Sequence, residues 1–363
     1  MTMCERLPAL LCGGVLLVIA CFCMSPARAQ SGTCLVHGQV TECPPLKHTQ
    51  RRAARHESAA QWLDRIRQSA QQQSYEGVFV YQRDAFVQSS RITHYASRAD
   101  GEYEQIESLD GQPRRMLRHN NDLYTFVPER HLCVVEKRLN KNAFPALLST
   151  SGAQALTVYT LALRGTDRVA GVQSQIIELM PKDGYRFAYK LWVDVKTGLL
   201  LREQTLDASG QVLEQLSFSQ IRIGPPVSKT PIVNGIRNAT GKAGWTVVNS
   251  PVEPVNIEAQ GWTLPTAVPG FRKMRELRRP MAAQDAGLPP IPVDQAVFSD
   301  GISAVSIFIE PVVHNSRKEG TGDSGATHVL VTRRDGNWLT LMGEVPQVTL
   351  QKFASAIKYR LSR

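Results

Sequence analysis

Between residues 184 and 224 large apolar side chains alternate with small or polar ones. Phe187, Tyr189, Leu191 and Val193 fall on one side of a two-residue period, the pattern of a half-buried strand. Lys196-Thr197-Gly198 and Asp207-Ala208-Ser209-Gly210 interrupt the run, which restarts over 199–206 and again over 212–223. Short glycine-containing breaks between apolar runs predict hairpins, and hairpins make antiparallel neighbours. The same period marks 75–82, 90–96, 102–109, 114–119, 123–127, 132–136, 158–163 and 173–180. Asp100-Gly101, Asp110-Gly111 and Asn120-Asn121 between some of these runs suit tight turns. One large antiparallel sheet is expected, and a sheet of so many strands must curl.

Two segments break this period. Over 57–73, Ala59, Trp62, Leu63, Ile66 and Ala70 recur at helical spacing, with Asp64, Arg65, Arg67 and Gln68 on the other side. Trp62 at that spacing is a core anchor. Residues 144–155 read as a helical or irregular crossing. With one helix packed inside, the curled sheet offers a concave apolar face. Tyr81, Phe126, Tyr189, Leu191, Leu201, Leu216 and Phe218 are its candidates for contact with a lipid. Each also suits ordinary core packing.

After residue 224 the periodicity stops. Pro225-Pro226, Pro231, Asn234-Gly235 and Gly241 punctuate a stretch read as a linker, residues 225–244. A second, smaller domain over 245–363 follows. It has short strands at 245–248 and 261–264, and Asp300-Gly301 and Asp335-Gly336 each join two apolar runs as hairpins. A closing helix from about Val348 sets Phe353, Ile357 and Leu361 on one face and Lys352, Lys358 and Arg360 on another. The fold class is therefore α+β and mainly antiparallel, with residues 57–224 as the larger domain.

The first residues bear on compartment. An apolar run over 10–24 follows Arg6, and Ala27-Arg28-Ala29 offers a cleavage site. Together they predict a secretory signal peptide, residues 1–29. Val18-Ile19-Ala20-Cys21 also fits a bacterial lipobox, which would place a lipid on Cys21; cleavage after Ala29 is favoured because that site follows the whole apolar run. Residues 30–56 form a polar, basic arm. Of the seven cysteines, Cys34 and Cys43 flank a short loop and are expected to pair in an oxidising space. Cys133, inside Leu132-Cys133-Val134-Val135, reads as a buried small apolar residue.

The formal charge of +10 narrows the partners. Basic residues cluster at Arg51-Arg52, at Arg114-Arg115, at Arg333-Arg334, and along Arg272, Lys273, Arg275, Arg278 and Arg279. For an exported chain, the anionic partners are lipid phosphates and acidic protein segments. Nucleic acid is not expected, since no aromatic-rich basic stripe is present to stack bases. The Arg272 to Arg279 run is the candidate partner-binding surface.

No catalytic arrangement emerges. Gly322-Asp323-Ser324-Gly325 resembles the surroundings of a serine-protease nucleophile but lacks an upstream base motif. Residues 235–242 approach a phosphate loop, with the glycines one residue too far apart and Ala243 where Ser or Thr is required. No CxxC follows residue 29, and the eight histidines include no H-x-x-x-H pair. No enzyme activity, cofactor or metal is expected.

An ordered set of motifs then points to a family. It comprises Trp62-Leu63-Asp64-Arg65-Ile66, Tyr75-Glu76-Gly77-Val78-Phe79-Val80-Tyr81, Arg91-Ile92-Thr93-His94, and Leu109-Asp110-Gly111 with Arg114. It continues with Arg168-Val169-Ala170-Gly171, Pro181-Lys182-Asp183-Gly184-Tyr185-Arg186, Leu191-Trp192-Val193-Asp194 and Thr197-Gly198-Leu199-Leu200. In the second domain stand Pro269-Gly270-Phe271, the run from Phe298-Ser299-Asp300-Gly301 to Phe308-Ile309-Glu310, and Gly343-Glu344-Val345-Pro346. Over about residues 57–363 the chain resembles the MucB/RseB family, periplasmic negative regulators of a sigma-E (AlgU-type) envelope-stress sigma factor.

The resemblance implies an N-terminal domain like LolA and LolB, an open half-barrel around helices with an apolar cavity, and a docked C-terminal domain. It implies a non-enzymatic protein in the periplasm. The implied partner is the periplasmic segment of a membrane-bound RseA/MucA-type anti-sigma factor, shielded from a DegS-type site-1 protease. Lipopolysaccharide or a similar lipid is the implied releasing signal. A periplasmic lipid or lipoprotein carrier of LolA/LolB type is the alternative, although simple carriers lack a second domain. Homo-oligomerisation stays open. Residues 30–56 have no counterpart in the family pattern.

Overall fold

A computed structural model describes residues 33–36, 39–42, 58–137, 151–224, 226–240, 244–281, 290–312 and 318–360. The chain divides into two compact units, residues 1–56 and 57–363. In the first, β1 (Thr33–Val36) pairs antiparallel with β2 (Gln39–Glu42), setting Cys34 opposite Thr41. The signal segment and the expected Cys34–Cys43 bridge lie outside the described residues.

The second unit opens with α1 (Ala59–Gln72), whose start is fixed by a reciprocal cap. The Ser58 hydroxyl accepts from the Gln61 amide at 3.3 Å, and the Gln61 side chain accepts from the Ser58 amide at 2.7 Å. Six strands follow: β3 (Tyr75–Arg83), β4 (Phe86–Ser97), β5 (Gly101–Ser108), β6 (Arg115–His119), β7 (Asp122–Val127) and β8 (Leu132–Lys137). A short α2 (Gly152–Ala155) leads into β9 (Tyr159–Val169), β10 (Val172–Pro181), β11 (Ala188–Asp194), β12 (Leu200–Leu206) and β13 (Val212–Ile223). Then come α3 (Thr230–Thr240) and β14 (Thr246–Ser250).

These strands make one twelve-stranded sheet in the order β14-β8-β7-β6-β5-β4-β3-β13-β12-β11-β10-β9. Every pairing is antiparallel except β14 with β8, which is parallel. β14 and β9 are the free edges, so the sheet is open rather than a closed barrel.

Cross-strand partners share a face. Leu191, Glu203, Leu216, Tyr81 and Gln88 stand opposite one another in turn and form one row. The same face continues through Ile92, Ile106 and Met116. Helix α1 packs here: Trp62, Leu63 and Ile66 are buried with Tyr159, Ile177, Tyr189, Leu191 and Val193. Leu117, one residue along, faces the opposite way. There it meets Phe126, Cys133, Ile232 and Ala239 under α3.

Two expectations are corrected by α3 and β14. The stretch read as a linker without periodicity contains an eleven-residue helix. Ile232, Ile236 and Ala239 recur at helical spacing and pack on the sheet, and Pro231 sits in the first turn, where its missing N–H costs nothing. The strand at 245–248, assigned to the second domain, instead extends the first sheet as β14.

The smaller sheet begins with β15 (Glu253–Pro254), and β16 (Trp262–Thr263) follows it in the chain. Then come β17 (Arg272–Met281), β18 (Ile291–Ser299), β19 (Ala304–Pro311), β20 (Gly320–Ser324), β21 (Thr327–Arg334) and β22 (Asn337–Glu344). Its order is β15-β17-β18-β19-β22-β21-β20. Helix α4 (Gln347–Ala356) lays Leu350 and Phe353 on a core with Phe271, Phe298, Ile307 and Leu341. The closing helix ends before Ile357, and β23 (Lys358–Tyr359) then pairs with β16, Trp262 opposite Tyr359. Leu361 lies outside the described residues. No helix among the described residues is long and apolar enough to cross a membrane.

Candidate functional site

The seam between the two sheets concentrates the buried polar chemistry. Arg186, ahead of β11, is 3% exposed. Its Nε donates to Asp300 Oδ2 at 2.6 Å, across the β18–β19 hairpin connection. Its terminal nitrogens donate to Asp183 and to the Pro269 carbonyl, and its guanidinium lies 5.2 Å from the Phe271 ring. Asp300 also accepts from the Ile302 and Ser303 amides at 2.9 and 2.8 Å, the closure of a tight turn. Burial pushes the Asp300 carboxyl above its usual range, outweighing those amides and Arg186. Ser303 in turn lies 3.1 Å from the Tyr189 hydroxyl and 3.4 Å from that of Tyr159, and burial raises both phenols. Thr349 of α4 donates to the Tyr185 carbonyl at 2.8 Å.

Gly270 shows how close the two sheets approach. It adopts φ +82°, and a Cβ there would come within 2.4 Å of Val158 and 3.0 Å of Arg186. Only glycine occupies that conformation at that distance without strain.

Further along the seam stand three carboxyls, Glu203 of β12, Glu214 of β13 and Glu344 of β22. Glu203 is half-buried, and its carboxyl is pushed up to about 8, by desolvation first and then by Glu344 and Glu214. Glu344 is exposed, and its carboxyl is raised above the usual range, by desolvation first and then by Glu214. Tyr81 donates to Glu214 Oε2 at 2.9 Å, and its phenol is raised to about 12 by desolvation first and then Glu214.

The residues expected to meet a lipid divide among several cores. Tyr189 and Leu191 are fully buried under α1. Leu201, Leu216 and Phe218 belong to a neighbouring cluster with Tyr75, Phe79 and Ile92. Tyr81 remains partly exposed beside Glu214. Phe126 does not join them: it lies on the opposite face, 1% exposed, against Trp245 at 5.0 Å. The seven thus do not line one shared interior, because strand alternation sends Phe126 to the α3 side.

The basic run lies along β17 and is largely paired. Arg278 grips Asp294 with two bonds of 2.6 and 2.8 Å, Arg279 bonds Glu136 at 2.6 Å, and Lys273 bonds Glu258 and Glu276 at 3.0 and 2.7 Å. Arg275 is half-buried, and Arg272 is exposed. Glu136 belongs to β8, so Arg279 also ties the two sheets together.

Sequence reasoning did not single out Glu203, Glu214 and Glu344 together. Glu203 and Glu214 sit on consecutive strands and Glu344 lies 130 residues beyond Glu214, and lone glutamates so placed carry no pattern of their own. Arg186, Asp300 and Glu344 did fall within quoted motifs, but nothing in the sequence pairs them. Among the described residues, no group of three or more His, Cys, Asp or Glu is placed to hold a metal ion. The arrangement is one of joints and surfaces, suited to binding.

Comparison with known proteins accords with this. Residues 58–236 match the MucB/RseB N-terminal domain and residues 256–358 the MucB/RseB C-terminal domain. Sigma factor AlgU regulatory protein MucB of Pseudomonas aeruginosa is 26% identical over 309 residues, covering 83% of this chain and 90% of that one. Sigma-E factor regulatory protein RseB of Escherichia coli K12 is 25% identical over 300 residues, 82% of this chain and 89% of that one. Among solved structures, MucB in complex with MucA(peri) is 25% identical with a TM-score of 0.63, covering 84% of this chain and all of that one. The Pseudomonas aeruginosa MucA/MucB complex gives a TM-score of 0.64 at 25% identity, over 84% of this chain and 99% of that one. With both domains matched in order across one continuous fold, the chain belongs to the MucB/RseB family.

Proposed function

We propose that this protein is a periplasmic regulator. It binds the periplasmic segment of a MucA/RseA-type anti-sigma factor, shields that segment from a DegS-type site-1 protease, and so keeps a sigma-E-like factor inactive. The observation that carries the reading is the likeness, across both domains, to MucB solved in complex with MucA(peri). A carrier needs only a cradle for its cargo. Here Arg186 and Gly270 knit two domains into one seam, which suits a surface that presents a fixed shape to a protein partner. The action is steric: a bound segment is not available to a protease, and no bond is made or broken.

A lipid signal completes the reading, and Tyr81, Tyr189, Leu191, Leu201, Leu216 and Phe218 are the side chains offered to it. Tyr189 and Leu191 are at most 1% exposed beneath α1, so an acyl chain reaches them only where α1 is displaced, and Leu201 is equally buried in the neighbouring cluster. Burying each methylene returns about 0.8 kcal/mol, enough in a long chain to compete with a packed helix. The exposed Arg272 is the member of the basic run best placed for an acidic partner segment.

The test is a pull-down with the periplasmic part of an anti-sigma factor, followed by digestion with a site-1 protease with and without this protein. Protection of the segment, lost on adding lipopolysaccharide, is expected. Capture of lipid with no protein partner would favour the carrier reading, and turnover of any substrate would overturn both.

A further inference from the structure

The two large sheets end in four free edges, β14 and β9 in one, β15 and β20 in the other. Three of these carry devices that discourage a further strand. β9 is bulged against Gln175 and Ile177, the Gln175 amide takes its Arg164 and Gly165 carbonyls, and Arg164, Asp167 and Arg168 place charge along it. β15 is two residues long and includes Pro254. β20 has Gly320, Gly322 and Asp323 among its five residues. β14 has none of these devices. Thr246-Val247-Val248-Asn249-Ser250 carries no charge, proline or glycine, and it pairs with β8 without a break in register.

The backbone of β14 fixes what its open side offers. The Thr246 amide donates to the His131 carbonyl of the neighbouring chain segment at 2.7 Å. A residue's N–H and C=O point to the same side of a strand, and the side alternates along it. Thr246, Val248 and Ser250 therefore turn these groups to β8, and Val247 and Asn249 turn theirs outward. The next outward position is Pro251, which has no N–H and ends the template. Val247 and Val248 are 38% and 45% exposed, on opposite faces. Val248 continues a row through Val134, Thr125 and Met116 on the α1 face. Val247 lies in a row with Cys133 and Phe126 on the α3 face, where Trp245 packs edge-on against Phe126 at 5.0 Å. The strand is thus held in place before anything binds to it.

Basic side chains border this edge at both ends. Arg130 stands exposed just ahead of β8 and Lys137 at its close, the latter opposite Asp122. Glu136 is already bonded to Arg279 of β17. Past Ser250 the chain enters β15, where Glu253 faces Arg278, so the open edge ends beside the basic run of β17.

We infer that β14 is a docking strand, to whose open edge the periplasmic segment of the anti-sigma partner adds an extended stretch. That stretch places a β-branched or leucine side chain beside Val248, has no proline where its backbone meets Val247 and Asn249, and carries acidic residues beyond its ends. Main-chain bonds supply affinity, and the alternate side chains supply selectivity. The inference deepens the regulator reading and rests on it. A second copy of this chain is the lesser fit: self-pairing around Val248 joins only five residues a side, and a formal charge of +10 on each chain opposes it.

The test is hydrogen exchange resolved to single amides on the full chain, alone and with the periplasmic part of an anti-sigma factor. In the free chain the Val247 and Asn249 amides should exchange fast and those of Thr246 and Val248 slowly. On binding, the two outward amides should slow at least about tenfold. Asn249→Pro removes one outward N–H while leaving the pairing with β8, and should weaken binding about three- to tenfold with an unchanged melting temperature. Val248→Glu should weaken it similarly, by setting a charge in the apolar row and against acidic flanks. If Asn249→Pro loosens β14 itself, Val248→Glu and the amide rates decide the matter. Binding that leaves the Val247 and Asn249 amides unchanged would overturn the docking strand and leave the regulator reading standing, whereas no binding at all would overturn both. Slowing of these amides with rising protein concentration, in the absence of partner, would assign the edge to a second copy and overturn the inference.

Discussion

Arg186 and Asp300 form an ion pair with no solvent exposure on either side chain, Nε to Oδ2 at 2.6 Å, between segments 114 residues apart. Deleting one partner of such a pair leaves the other charged, buried and unmatched. Arg186→Met should lower unfolding stability by about 3–5 kcal/mol. Adding Asp300→Asn should recover part of that loss, because the orphaned charge is removed with it. Urea unfolding of the two single variants and the double variant reads the coupling directly. Simple additivity would mean that the pair does not act as a unit.

His94 gives a prediction in pH. It is fully buried, its ring stacks on Tyr75 at 4.9 Å, and its Nδ1–H donates to the Gln73 carbonyl at 2.8 Å. Burial holds its pKa below the ordinary 6.5, outweighing the pull of Glu104. A depressed folded pKa means that the unfolded chain takes the proton first. The stability contributed by neutral His94 is present above pH 6.5 and is lost as pH falls below it. In His94→Phe, where Gln73 loses its donor, stability at pH 7.5 should drop by about 1–3 kcal/mol, and the decline from pH 6.5 to 5 should flatten. Urea midpoints measured across that range check both effects.

Much of the fold was legible because it is local. Alternation located every strand of the larger sheet between Tyr75 and Ile223, although β9 runs on to Val169, well past the expected 158–163, and Ser58 with Gln61 explains where α1 begins. Helix α3 was obscured by Pro231, Asn234 and Gly235. Those residues punctuate a chain when read singly, although Ile232, Ile236 and Ala239 already carried the helical period. The parallel pairing of β14 with β8 joins residues more than a hundred positions apart and leaves no local mark. The same holds for the seam: the sequence displays Arg186 and Asp300, or Glu203 and Glu344, but only the folded chain brings them together. Phe126 was placed with the wrong partners because alternation within β7 gives its face relative to Tyr124 but not which helix covers that face.

Gly270 tests how tightly the seam is closed. At φ +82°, with Val158 2.4 Å and Arg186 3.0 Å from where its Cβ would be, Gly270→Ala brings both backbone strain and a clash. A loss of about 1–3 kcal/mol is expected. Exchange protection near Val158 and Arg186 should fall with it, while the α3 region stays unchanged. A neutral Gly270→Ala would show that the sheets can part there at no cost.

The basic run on β17 separates into roles that charge reversal can distinguish. Arg272 is exposed, whereas Arg278 is committed to Asp294 by two bonds. Arg272→Glu should slow association with an acidic anti-sigma segment several-fold, most at low salt, and leave thermal stability within about 0.5 kcal/mol. Arg278→Glu should instead lower thermal stability, because it sets a second carboxylate against Asp294. Surface plasmon resonance at two ionic strengths, paired with thermal melts, reads both. Unchanged association in Arg272→Glu would remove β17 from the partner-binding surface.

The buried position of Tyr189 and Leu191 beneath α1 makes the lipid question one of helix displacement. Leu63 and Ile66 of α1 are fully buried against Tyr189, Leu191 and Ile177. Whatever free energy holds α1 in place is subtracted from the affinity of any acyl chain that needs the same space. Leu63→Ala should cost about 2–5 kcal/mol of stability. If only 1.4 kcal/mol of that lies in the docking of α1, lipid affinity should rise about tenfold. Titration with a fluorescent acyl probe, alongside unfolding measurements, separates the cases. Tighter binding in the less stable variant would mean that α1 competes with lipid for this face. Weaker binding would mean that Leu63 itself contacts the chain, and unchanged binding would place the lipid away from α1.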